Sequence, residues 1–417
     1  MHCCNIAVFL LVLTVSARSL KLSAADPCQF KQCTSDQVCR ETRRGCWTGR
    51  PGEFCERMAQ CVPLKIATTP GVNQCRAKQQ VQPASRAKFN SALTNFAWKL
   101  YGQTVTQMGD NLSVFLSPAS IALALGMLNE GAGGQTRQQI EWLLSANTGQ
   151  LENLPGHFNE FQTGVFDNPV NYTLAVANKI YLDKSLSVLD GFATSLAECF
   201  ESESERHDIR ANAEAVRALI NAWVEEKTNN KIKNLLKPGV LRAAVMVLVN
   251  AVHFKADWLT PFNESETEMR DFHKHDGKIT KVPTMHMNYK PNGNASYYKS
   301  DNLQVLKLPY RGKALSMMIL LPSSKDGSAL KILESRLSDD AARNVLFTDI
   351  KQNMRVIWHT TTHVFLPKFK LETSVPLKKV LIASGMTHAF LHFAANFERL
   401  SRQRLFVSEA LHQAYVD

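Results

Sequence analysis

The stretch Asn111-Leu-Ser-Val-Phe-Leu-Ser-Pro-Ala-Ser-Ile-Ala-Leu-Ala-Leu-Gly-Met-Leu-Asn-Glu-Gly-Ala-Gly-Gly134 decides how this chain folds. Ser117 and Pro118 form a helix start: a hydroxyl that can accept from a free backbone N–H, then a residue whose missing N–H costs nothing at the first helical position. Residues 118–128 carry no charge and are apolar nearly all round, which predicts a helix that is mostly buried. Glu130-Gly-Ala-Gly-Gly then breaks it.

Working outward, Phe89, Leu93, Phe96, Ala97, Leu100 and Tyr101 recur at three- and four-residue intervals, predicting an amphipathic helix over 85–105. A second helical pattern spans Ala213 to Lys227. Val245 to Phe254 is apolar, β-branched and continuous, so it reads as a central strand covered on both faces. Runs at Leu303–Leu308, Leu315–Leu321 and His363–Leu371, with turns at Gly312, Pro322 and Gly327, predict further long strands. The class is mixed α+β without internal repeats. With 417 residues, 45% of them hydrophobic and 20% charged, there is material for one large core and a small extra module.

That module lies near the start. Residues 1–17 contain an apolar run from Ile6 to Val15 that ends in Val15-Ser-Ala17, the pattern of a signal peptide cleaved after Ala17. No later stretch approaches the roughly 20 apolar residues of a membrane span, so the expectation is a secreted, extracellular protein with no membrane partner. Of ten cysteines, Cys28, Cys33, Cys39, Cys46, Cys55 and Cys61 fall within residues 26–62, a disulfide-rich module. Cys75 and Cys199 remain as candidates for a linker-to-body bridge. Residues 63–84, with Pro63, Pro70, Gly71 and Pro83, read as a linker, and 85–417 as the main domain. Asn171, Asn263 and Asn294 head glycosylation acceptor triplets; Asn111 does too, but adjoins the buried run.

The chain has 48 Lys and Arg against 37 Asp and Glu, a net charge of +11, which favours acidic partners such as sulfated glycans. The clusters Lys231, Lys233, Lys237, then Lys378, Lys379, and Arg399, Arg402, Arg404 lack interleaved aromatics and read as solvated faces, so no nucleic-acid partner is expected. Enzyme motifs are absent: there is no Gly-x-Ser-x-Gly, no His-Glu-x-x-His and no phosphate loop, since Gly131-Ala-Gly-Gly lacks the following Gly-Lys-Ser/Thr. His359 and His363 have no third ligand nearby in sequence, so neither a metal nor a cofactor is expected.

With Gln135-Thr-Arg-Gln-Gln-Ile140 added, the opening stretch closely resembles the signature of the serpin superfamily around its buried second helix. The resemblance continues in order through Ile220-Asn-Ala-Trp-Val-Glu-Glu-Lys-Thr-Asn-Asn-Lys-Ile232 and Leu248-Val-Asn-Ala-Val-His-Phe-Lys-Ala-Asp-Trp-Leu-Thr-Pro-Phe262. Leu308-Pro-Tyr-Arg-Gly312, Leu366-Pro-Lys-Phe-Lys-Leu-Glu372, Gly385-Met-Thr-His-Ala-Phe390, Ala395-Asn-Phe397 and Val407-Ser-Glu-Ala-Leu-His-Gln-Ala-Tyr-Val-Asp417 complete it. It covers about residues 85 to 417.

What the resemblance implies is a metastable fold with a large five-stranded sheet, further sheets and about nine helices. Such a protein is no enzyme but a monomeric inhibitor of a serine protease, or in variants a cysteine protease. The target cuts an exposed reactive loop, the loop inserts into the sheet as a new strand, and the acylated protease is trapped. Ser117, Ser120, Asn250 and His412 match the polar shutter beneath the sheet, and Trp258 matches the breach where insertion begins. The serpin hinge, reactive loop and last strands would follow Asp417, so the reactive bond is not among these residues, and unpaired edges are expected without those strands. The basic helix of heparin-activated relatives has no counterpart, because Gly156-His-Phe-Asn-Glu-Phe-Gln-Thr-Gly-Val-Phe-Asp167 lacks Lys and Arg; Lys231, Lys233 and Lys237 stay as an alternative glycan site. Two other roles fit the same residues: a non-inhibitory serpin that binds or regulates, and an adhesion protein working through its Cys-rich module.

Overall fold

In the computed structural model, Ser117 caps α2 (Pro118–Gly131), its Oγ accepting from the Ser120 N–H at 3.4 Å. The structure describes residues 8–10, 37–43, 57–63, 83–109, 113–145, 153–165, 172–274, 276–289, 295–325, 327–357 and 362–416. Every residue of α2 from Ser120 onward is buried. The helix runs three residues past Leu128 because its polar end finds partners: Asn129 Nδ2 donates to Glu141 Oε1 at 3.3 Å and the Ser195 hydroxyl to Glu130 Oε2 at 2.6 Å. Burial raises the Glu130 carboxyl above its ordinary range.

Around α2 stand α1 (Pro83–Met108), α3 (Gly134–Leu144), α4 (Leu154–Val165), α5 (Asp190–Phe200) and α9 (Leu377–Ala383), sharing its apolar core through Phe96, Ile140, Phe158, Leu196 and Leu381. The periodic run of 85–105 is α1, extended at both ends. Packing is closest at Gly126, where a Cβ would stand 2.6 Å from the buried Phe158 ring and 3.0 Å from that of Phe200. Neither ring has room to move, so Gly126→Ala should cost about 2 kcal/mol of stability despite alanine's better helix propensity, read as a lowered urea midpoint.

The helices cover one face of a five-stranded sheet ordered β14 (Leu371–Val375), β15 (Glu409–Val416), β6 (Met246–Ala256), β4 (Tyr172–Asp183) and β5 (Ser204–His207). The expected central strand is β6, buried without a break from Met246 to Phe254. Its second face meets α6 (Ala213–Lys227) through Val247, Val249 and Ala251 against Val216, Ile220 and Val224. β15 runs parallel to β6, whereas β4 on its other side is antiparallel.

A three-stranded sheet is ordered β13 (Thr362–Pro367), β8 (Ile279–Tyr289), β7 (Glu268–His273). The last is ordered β1 (Val8–Leu10), β11 (Ser316–Pro322), β10 (Leu303–Pro309), β9 (Ser296–Lys299), β12 (Arg355–Val356), with α7 (Gly327–Ser338) and α8 (Asp340–Asn353) packed on it through Leu333, Leu337 and Leu346. The run His363–Leu371 is thus not one strand. Pro367 has no N–H to continue the ladder, and after Lys368–Lys370 the chain joins the five-stranded sheet as β14. Ser16–Val72 is a separate compact unit, whose described residues are the antiparallel pair β2 (Gln37–Arg43) and β3 (Arg57–Pro63), with Cys39 opposite Cys61 in register.

Candidate functional site

His412 on β15, Asn250 on β6 and Asn178 on β4 are register partners on three neighbouring strands, so a polar row crosses the middle of an apolar sheet. The start of α2 lies against it. The Ser117 N–H donates to His412 Nε2 at 3.2 Å, which makes that nitrogen the acceptor, and His412 Nδ1–H donates to Asn250 Oδ1. The contacts therefore select one neutral tautomer. Asn250 Nδ2 donates to Asn178 Oδ1. The Ser120 hydroxyl has one hydrogen and two acceptors at 3.1 Å, Ser117 O and Asn250 Oδ1.

Ser120, Asn250 and His412 are fully buried. Burial pushes the His412 imidazole down to about 3 from 6.5, because a charge there would be stripped of water. A second proton on Nε2 would also face the Ser117 N–H, donor against donor. The seam between the parallel strands β6 and β15 is crossed by this cluster. Were the strands to part, the Ser120 hydroxyl would keep Ser117 O and His412 Nε2 the Ser117 N–H, while the His412 Nδ1–H and Asn250 Oδ1 would lose each other and need new partners.

The Serpin (serine protease inhibitor) family model matches residues 91–417. The chain belongs to the serpin family. Ipis-1 of Ixodes persulcatus is 33% identical over 335 residues, which cover 79% of this chain and 85% of Ipis-1. A leukocyte elastase inhibitor of Xenopus tropicalis is 33% identical over 334 residues, again 79% of this chain and 85% of the relative. The crystal structure of uncleaved ovalbumin superposes with a TM-score of 0.70 at 26% identity, over 78% of this chain and 84% of ovalbumin.

All four shutter positions carried over from serpins, Ser117, Ser120, Asn250 and His412, thus meet in one cluster. Asn178, between Ala177 and Lys179 on β4, was missed by sequence reasoning; its Nδ2 is buried without a hydrogen-bond partner among the described residues. Next to it, Lys179 reaches Glu203 at 2.8 Å and Glu205 at 2.6 Å and lies 4.7 Å from the Trp223 ring centre, clasping β4 to β5 beneath α6. No motif announced that clasp.

Trp258, half-buried, bridges to Tyr310, the two rings stacked at 4.6 Å beyond the end of β6. Beside it opens a cavity of about 310 Å³ lined by Phe262, Met285, Arg311 and Lys368. His363 lies 3.3 Å from His286 Nε2, whose Nδ1 faces Glu266 Oε2, also at 3.3 Å; His359 lies outside the described residues. Among the described residues no group of three or more His, Cys, Asp or Glu is placed to hold a metal ion.

Asn263 is exposed and accepts from its own Ser265 N–H and hydroxyl, whereas Asn111, Asn171 and Asn294 lie outside the described residues. Cys199 is buried and disulfide-bonded; Cys28, Cys33, Cys46, Cys55 and Cys75 lie outside the described residues. Of the glycan alternative, Lys233 pairs with Glu225 at 2.8 Å and Lys231 lies over the Tyr415 ring, which leaves Lys237 apart.

Proposed function

We propose that this serpin is a secreted inhibitor of a serine protease that acts once, by taking a cleaved reactive loop into the seam between β6 and β15. The observation that carries this reading is the seam itself: two parallel strands joined across an apolar sheet by the buried His412–Asn250 hydrogen bond, with the start of α2 against it. A relative named as an elastase inhibitor supports a serine protease as target. In this reading the protease supplies the nucleophile, and the loop leads on from β15, beyond Asp417.

Secretion is supported by the apolar run Ile6–Val15, by the exposed Asn263 triplet and by the disulfide at Cys199. Removal of residues 1–17 would also take β1 away and bare the β11 edge. The protein purified from its natural source, incubated with elastase, trypsin and chymotrypsin in turn, should give an SDS-resistant band at the summed mass with at least one of them. Clean cleavage by all three with no such band would make it a substrate and overturn the reading.

A further inference from the structure

Leu391 and Phe393 point outward: Phe393 is 88% exposed, whereas no other phenylalanine among the described residues is more than partly exposed, and Leu391 is 53% exposed. The turn that carries them is tightly tied. Leu391 N donates to His388 O at 3.1 Å, and Ala394 N and Ala395 N both donate to Leu391 O. Both flanks are fastened to α3. Before the apex, Thr387 N and His388 N donate to Gln139 Oε1 at 3.0 and 2.9 Å; after it, Asn396 N donates to Thr136 Oγ1 at 2.9 Å. The His392 ring, itself exposed, stands edge-on to Phe393 and to Phe406. Two apolar side chains are therefore held in water by a built turn, an arrangement that marks a contact surface rather than packing failure.

Exposed cations lie on the adjoining segments, with Glu398 the exposed carboxylate that follows the turn. Val407 N donates to Ala389 O, which lays the segment that follows Arg402 and Arg404 alongside the turn, and Lys378 Nζ reaches Ser408 O, bringing the start of α9 with Lys379 to the same segment. Lys379, Arg402 and Arg404 are exposed and form no ion pair among the described residues. We propose that this turn docks on an anionic phospholipid surface, with Leu391 and Phe393 entering the boundary between headgroups and acyl chains and the three cations facing lipid phosphates and carboxylates. A convex apolar apex with a basic collar fits a yielding, negatively charged interface. The contact is peripheral: no helix among the described residues is long and apolar enough to cross a membrane.

The test is co-sedimentation of the full chain with vesicles of phosphatidylcholine alone or mixed with phosphatidylserine. Wild type binds the mixed vesicles and binds pure phosphatidylcholine about tenfold or more weakly. Leu391→Ser with Phe393→Ser lowers binding to mixed vesicles about thirtyfold or more, with an unchanged unfolding midpoint because neither side chain packs in the core. Arg402→Gln with Arg404→Gln lowers it about tenfold and flattens its salt dependence. Wild type that ignores both vesicle types, as it would if the apex served a protein pocket, overturns the proposal, and so does full binding by the double serine variant.

Discussion

Asn250→Ala is expected to lower the stability of the five-stranded state by about 3 kcal/mol, read as the first transition in urea. The side chain stands between three others, and its loss leaves the His412 Nδ1–H without its acceptor, the Asn178 carbonyl without its donor and the Ser120 hydroxyl with Ser117 O alone. The first is orphaned at a fully buried site and the second at a partly buried one, at about 1–3 kcal/mol for the buried group and less for the other. Ser120→Ala should cost less, since it removes one donor and Asn250 Oδ1 keeps the bond from His412. Because the row crosses the β6–β15 seam, Asn250→Ala should also speed uptake of an added strand-forming peptide. An unchanged urea midpoint would show that the row is a passive core feature and would sink the gate.

The larger elements could be read in the sequence because each has an unambiguous period or cap. α2 follows from Ser117-Pro118 and its uncharged run, α6 has the bounds its pattern predicts, and β6 follows from a run too apolar for an exposed strand. The strand near His363 misled because apolar continuity says nothing about which sheet a strand joins; one proline and two lysines divide it between two sheets. The shutter residues are 295 positions apart at the extreme, from Ser117 to His412, and no local pattern links them. Resemblance to serpins brought four of them together, while tautomer and register come only from three-dimensional neighbours. Asn178 stayed hidden because a lone Asn in a strand looks like any outward-facing polar residue. Leu391 and Phe393 were passed over for the opposite reason: apolar residues in sequence are taken for core until their exposure is seen.

Acidification is expected to loosen this molecule at its centre before its surface carboxylates titrate. His412 is neutral, with Nδ1–H given to Asn250 and Nε2 accepting from Ser117, and burial holds its pKa at about 3 against 6.5 for the free imidazole. The folded pKa is depressed, so between these values the unfolded chain takes up a proton that the folded chain refuses. Stability is therefore whole above 6.5 and falls as pH drops toward 3, by about 1.4 kcal/mol per unit, or about 2 kcal/mol at about pH 5. His157, stacked on Phe89 and held by Ser85, is also lowered by burial and acts in the same direction. The raised carboxyl of Glu130 acts oppositely, over a window that starts at its ordinary 4.5 and runs upward, and so takes part of the slope away; Asp183, Glu205 and Asp340, held low by their hydrogen bonds against the opposing pull of burial, add to the loss below about pH 4.5. Urea titrations across this range should show the slope between about pH 6.5 and 5, and His412→Gln should be weaker near neutrality yet much flatter with pH. Wild-type stability that stays level over that interval would mean the imidazole finds water or a partner on protonation, and the closed row would not be the barrier to parting β6 from β15.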